Sequence, residues 1–305
     1  MRRHAAIISY VLLLSLVLCA CGQKVPDVNL NELDLGSAEN TIASLNVSAP
    51  GTRKDENEEA VIDYSNTEDG YIMVKYKQDT DTPIKAQVKC EDVTYTYDLI
   101  PGQWSAFPLS EGDGEYQVCV YSNIGGTKYA LVLSSEFDVE LKDEFAPFLR
   151  PNQYVNFAEA PHAVALAAEL TRDDADTLEK VESVYEYVIH TLTYDKYLAE
   201  TVKSGYLPVL DSVLEKKSGI CFDYAALMTG MLRSLGIPCK LVIGYAGSAY
   251  HAWISVWVDG VGWIDNLVYF DGINWQLMDP TFASAGSSNY AFIGDGKNYS
   301  AKYFY

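Results

Sequence analysis

Basic side chains are scarce in this chain of 305 residues: 22 Lys and Arg stand against 42 Asp and Glu, a net charge of −20. A surface that acidic repels phosphate backbones, so nucleic acid is excluded as the expected partner. Histidine is scarcer still, with only His4, His162, His190 and His251. Cysteine numbers six, and no CxxC or HxxxH spacing occurs. A zinc site would therefore need scattered residues to converge without a local pair, and no metal or other cofactor is expected. No internal repeat is visible. The longest apolar run, IISYVLLLSLVL, is too short to span a bilayer comfortably.

What is present begins with that run. It follows the positive start MRRH and ends in Leu18-Cys19-Ala20-Cys21-Gly22. Such an arrangement reads as a secretory signal. The last residues resemble the bacterial lipobox, with an aliphatic residue three places before a cysteine and a small one just before it. The resemblance implies cleavage after Ala20 and lipid attachment to Cys21. Residues 1–20 are then a lipoprotein signal peptide, and the protein is expected outside the cytoplasm, held to a membrane by acyl chains. Cys90, Cys119, Cys221 and Cys239 remain, too few for a disulfide framework; a Cys90–Cys119 bridge is possible without being demanded.

Residues 21–58 carry no sustained apolar period and end near the charged run RKDENEE, which reads as an acidic flexible tether. Residues 59–145 alternate in the manner of strands, through YIMVKYK, IKAQVKC, VTYTYDL, EYQVCVY and KYALVLSSEFDVEL. Several short strands without intervening helices predict a small all-β sandwich-like domain. It holds no catalytic constellation and reads as a spacer or binding module. From 146 to 305 the pattern changes to helices followed by strands. DTLEKVESVYEYVIHTL places Leu178, Val181, Val184, Tyr185 and Val188 on one stripe, and a further helix starts near Cys221. The fold class expected is α+β.

Three residues in that last part could carry chemistry. Cys221 stands at the expected helix start in SGICFDYAAL. In YHAWISVWV, strand alternation puts Ala252, Ile254, Val256 and Val258 on one aliphatic face and His251 on the other, with Trp253, Ser255 and Trp257. The mixed face is expected to meet a partner such as the Cys221 helix. Asp279 ends an alternating segment just before Pro280, where a strand stops. A thiol at a helix N-terminus, a base to take its proton and a carboxylate to orient that base make a nucleophilic constellation. The Cys221 backbone N–H is the first candidate for oxyanion stabilisation, and Asp223, two residues on, would oppose the thiolate by its charge.

In sequence order, Gly219-Ile220-Cys221, His251-Ala252-Trp253 and Asp279-Pro280-Thr281 resemble the transglutaminase-like core, part of the papain-like group of cysteine acyl-transfer enzymes. The spacing, 30 residues and then 28, suits it, and the likeness covers roughly residues 160–285. The resemblance implies helices packed on an antiparallel sheet and a catalytic Cys221, His251 and Asp279. It further implies an acyl-enzyme formed from a protein or peptide amide, such as cell-wall peptide. Hydrolysis is favoured over glutamine–lysine cross-linking. The competing expectation is a surface binding or scaffold lipoprotein whose domain has lost activity.

Overall fold

The computed structural model describes residues 26, 28–264, 268–270, 275–277 and 299–305, with the backbone alone for 268–270 and 275–277. Cys21 and Asp279, with the readings attached to them, lie outside the described residues. The first long element is α1 (Leu35–Leu45), opened by Asp34, whose side chain accepts the Ser37 N–H. Here the structure departs from the flexible tether expected over 21–58. Leu35, Leu45 and Ile42 pack on the core and Ala38 lies within it, so α1 docks against α2 (Pro161–Leu170).

Eight strands follow: β1 (Lys54–Glu56), β2 (Ala60–Asp63), β3 (Tyr71–Tyr76), β4 (Ile84–Cys90), β5 (Val93–Leu99), β6 (Trp104–Pro108), β7 (Gly114–Gly125) and β8 (Lys128–Val139). They form two four-stranded antiparallel sheets, in the orders β1-β2-β3-β6 and β5-β4-β7-β8. Strand β4 shows why: Ile84, Ala86, Val88 and Cys90 are buried while Lys85, Gln87 and Lys89 point away. That register also rules out a Cys90–Cys119 bridge. Cys90 pairs with Tyr116 and Cys119 with Gln87, so the two thiols lie on opposite faces, and both are free.

After α2 come α3 (Thr177–Thr191), β9 (Thr193–Tyr194), α4 (Lys196–Thr201), α5 (Leu210–Lys216), β10 (Ser218–Gly219) and α6 (Cys221–Ser234). Of the stripe expected on α3, Val181, Val184, Tyr185 and Val188 are buried, whereas Leu178 in the first turn is exposed. Helix α6 is buried almost all round, between α2, α3 and α5 and a sheet of order β13-β12-β11-β16. Those strands are β11 (Cys239–Ala246), β12 (Ala249–Val258), β13 (Gly262–Ile264) and β16 (Tyr299–Phe304); β14 (Val268–Phe270) and β15 (Trp275–Leu277) pair with each other. The expected α+β class is what the chain adopts. One buried cluster runs from Ile62 and Val118 of the strand-rich part to Leu227, Met231 and Ile254.

Candidate active site

The turn that presents Cys221 is built by its neighbours. Strand β10 pairs in parallel with β9, the chain stays extended through Ile220, and α6 begins at Cys221. Asp223 in the first turn bends back, its Oδ2 accepting the Ile220 N–H at 2.8 Å and its Oδ1 the Tyr206 hydroxyl at 2.7 Å. Burial raises the Asp223 pKa, which those two donors oppose. Its carboxyl thus serves the turn that holds Cys221. Gly219 is required for this: a Cβ there would lie 2.5 Å from Asp223 Cβ.

Cys221 is half-buried, while Cys90, Cys119 and Cys239 are buried. It opens onto a cleft of about 670 Å³, whose lining includes Ile220, Phe222, Tyr154, Tyr206, Tyr250 and His251. As the first residue of α6 its sulfur sits where unpaired N–H groups and the helix dipole favour negative charge. Burial pushes the Cys239 thiol up to about 12 and raises that of Cys90. Cys221 is thus the described thiol with both solvent access and an electropositive position.

His251 stands near the start of β12, opposite Gly244 on β11. A Cβ on Gly244 would overlap the Ser300 carbonyl oxygen and sit 2.8 Å from Trp253 Cη2, so glycine alone lets β16 and the indole close in beside His251. The row carrying His251 is not the one that packs on α6. Val256 pairs with Cys239, whose Sγ lies 3.7 Å from Thr229 Oγ1 on α6, so the aliphatic row faces the helix. His251 shares the opposite row with Trp253, their ring centres 6.5 Å apart. The expected meeting of the mixed face with α6 is corrected on this point, because both faces of β12 are covered. His251 reaches Cys221's cleft instead at the strand end, where Tyr250, His251 and Ala252 all line it.

Residues 164–280 match the family model described as the transglutaminase-like superfamily. This stretch is a transglutaminase-like domain. Cys221, His251 and Asp279 all fall within it. The chain is 30% identical over 139 residues to a protein-glutamine gamma-glutamyltransferase of Pseudomonas aeruginosa, covering 41% of this chain and 19% of that one. It is 27% identical over 132 residues to human kyphoscoliosis peptidase, covering 39% and 18%. Thus the chain spans about a fifth of the length of these two relatives. A solved chain from Cytophaga hutchinsonii aligns over 77% of this chain and 76% of its own, at 13% identity and a TM-score of 0.40. Red sea bream transglutaminase aligns over 69% and 48%, at 14% identity and a TM-score of 0.29.

The transglutaminase-like domain does not enclose the cleft alone. Lys85, Thr96, Asp98 and Ile100 of the strand-rich part line it, as do Gln153 and Tyr154. Sequence reading gave that part no role at the site, since its residues precede Cys221 by more than a hundred positions and form no motif. Tyr206 was missed as well: nothing local marks it as the donor to Asp223. Among the described residues, no three His, Cys, Asp or Glu side chains gather as a metal site.

Proposed function

We propose that the protein is a cysteine-dependent acyl-transfer enzyme acting on amide bonds of a polypeptide. The observation that carries this is the half-buried Cys221, first residue of α6, opening onto a cleft that His251 also lines. Cys221 gives its proton to His251 and its sulfur attacks the amide carbon, while Asp279 orients the imidazole. The Cys221 N–H meets the developing oxyanion. Collapse breaks the C–N bond, the amine leaves with the proton from His251, and a thioester remains. Water then attacks, His251 taking its proton, and C–S cleavage frees the acid and restores the thiol. Water rather than a lysine amine is the favoured acceptor, giving a peptidase or amidase. Lipid on Cys21 holds the enzyme to a bacterial membrane on its extracytoplasmic side; Cys21→Ala should release it into the soluble fraction.

Iodoacetamide labelling of the protein lacking residues 1–21, near neutral pH, tests the nucleophile. Cys221 should alkylate fastest, and His251→Ala should slow it by about tenfold or more. Equal, slow labelling of Cys90, Cys119, Cys221 and Cys239 would leave the inactive binding protein as the reading. A glutamine peptide offered with a labelled amine then separates the acceptors. Released acid or a cut chain means hydrolysis, and incorporated label means cross-linking.

A further inference from the structure

The cleft beside Cys221 continues beyond its own walls. A second cavity of about 410 Å³ shares Ile100, Gln153 and Leu207 with it, making one groove from Cys221 to β6. Gln153 stands where the two meet. Its main-chain N–H donates to the Ala106 carbonyl on β6 at 3.2 Å, and its side-chain Nε2–H donates to the Asp98 carbonyl on β5 at 2.7 Å. Among the described residues, both β5 and β6 are edge strands. Residues of an antiparallel strand alternately face their partner and face away, so Trp104 shares the outward direction of Ala106. The Trp104 main-chain N–H and C=O therefore point off the sheet edge, into the side that Gln153 occupies further along.

The lining of this second cavity is unusual for a surface. Ile100, Trp104 and Val209 are 45%, 41% and 61% exposed, three large apolar side chains left to water in one place. Glu159 is the one charged side chain among its described lining residues. Asn152, 6% exposed, also lines it; its Oδ1 accepts from the Tyr154 and Val155 N–H groups, and its Nδ2 has no partner among the described residues. A small amide would fill only the first cavity and leave these features unused. An open strand edge, an apolar patch and an unused amide donor suit a chain with its own main-chain acceptors and apolar side chains.

We propose that the groove binds an extended polypeptide, with the reacting amide at Cys221 and an apolar side chain seated on Ile100, Trp104 and Val209. The strand-rich part is then the element that selects the substrate. This rests on the acyl-transfer reading of Cys221 and adds to it the path of the bound chain and the apolar side chain it must carry. A set of glutamine peptides tests it: one short and capped, the others longer, with a single leucine stepped outward on either side. In the wild-type enzyme at least one leucine position should raise kcat/KM by about tenfold, through KM. Trp104→Ala should cancel that advantage, as should Ile100→Ser, whereas Leu131→Ala on β8 should keep it. Titration calorimetry of the same peptides into Cys221→Ser reads binding without turnover and should show the same length preference, lost with Trp104→Ala. Equal affinity at every length, or a preference that survives both groove substitutions, overturns the proposal. Length-graded binding without turnover of any peptide would sink the acyl-transfer reading alone.

Discussion

Asp223 holds the entry to α6 with a carboxyl that has left water, and that has a consequence for pH. Its folded pKa is raised above the ordinary 3.8, chiefly by burial. The folded state therefore binds the proton more tightly than the unfolded one. The stability this lends is complete below 3.8 and fades as pH rises through the raised value. An asparagine cannot ionise, so Asp223→Asn lacks this one contribution while keeping those of the other carboxyls, and its deficit against wild type should shrink as pH rises. Urea unfolding at closely spaced acidic pH values would show it; parallel curves for the two proteins would contradict it. At this scale the sequence was most informative about identity and least about surroundings. Cys221 and His251 stand out by the residues flanking them. That Cys221 is the accessible thiol, and that Asp223 answers to Tyr206, depends on contacts across the fold.

Helix α6 is tied to the sheet by one buried guanidinium. Arg233 donates to the carbonyl of Cys239 at 2.8 Å, that of Arg150 at 2.8 Å and the main-chain oxygen of Tyr305 at 2.5 Å. Burial lowers its pKa only to about 10, so it stays charged at neutral pH. A lysine has no planar fork to serve three acceptors in different directions. Arg233→Lys should therefore cost on the order of 3 kcal/mol, since buried acceptors lose their donor. Denaturant midpoints should fall with an unchanged slope; a loss within error of zero would mean that water serves the carbonyls. Elements themselves were readable where their period was clean, as in β4, β12 and α3. Helix α1 was missed because Leu35, Ala38, Ile42 and Leu45 are spread among Ser, Asn and Thr, and its stability comes from docking on α2. Alternation divided β12 correctly into two rows. It could not say which row meets α6, because the answer lies in the aromatic cover on the other side, where Trp257 packs on Phe145 and Trp263.

The two sequence-defined halves share their interior. Tyr97 of β5 meets Tyr305 with ring centres 5.8 Å apart, Tyr305 meets Tyr154 at 4.5 Å, and Tyr154 meets Phe222, beside Cys221, at 5.4 Å. Cutting the chain before residue 146 would bare this aromatic contact and the apolar surface around it, at roughly 25 cal/mol per Å² returned to water. Residues 146–305 alone should thus fail to fold cooperatively, and the whole protein should melt in one transition, with far-ultraviolet dichroism and tyrosine fluorescence coinciding. Two separated transitions would show independent halves. A boundary near 146 is visible in the sequence as a change of period; the shared interior is not, because burial across a boundary leaves no local pattern.

Gln153 has a second consequence. Open strand rims are where folded proteins stick to one another, backbone to backbone. One side chain and its own peptide N–H occupy a carbonyl on each of the two rims bordering the groove. The molecule can leave a docking ledge at Trp104 while neighbouring positions are already spoken for, which guards it against self-association along that seam.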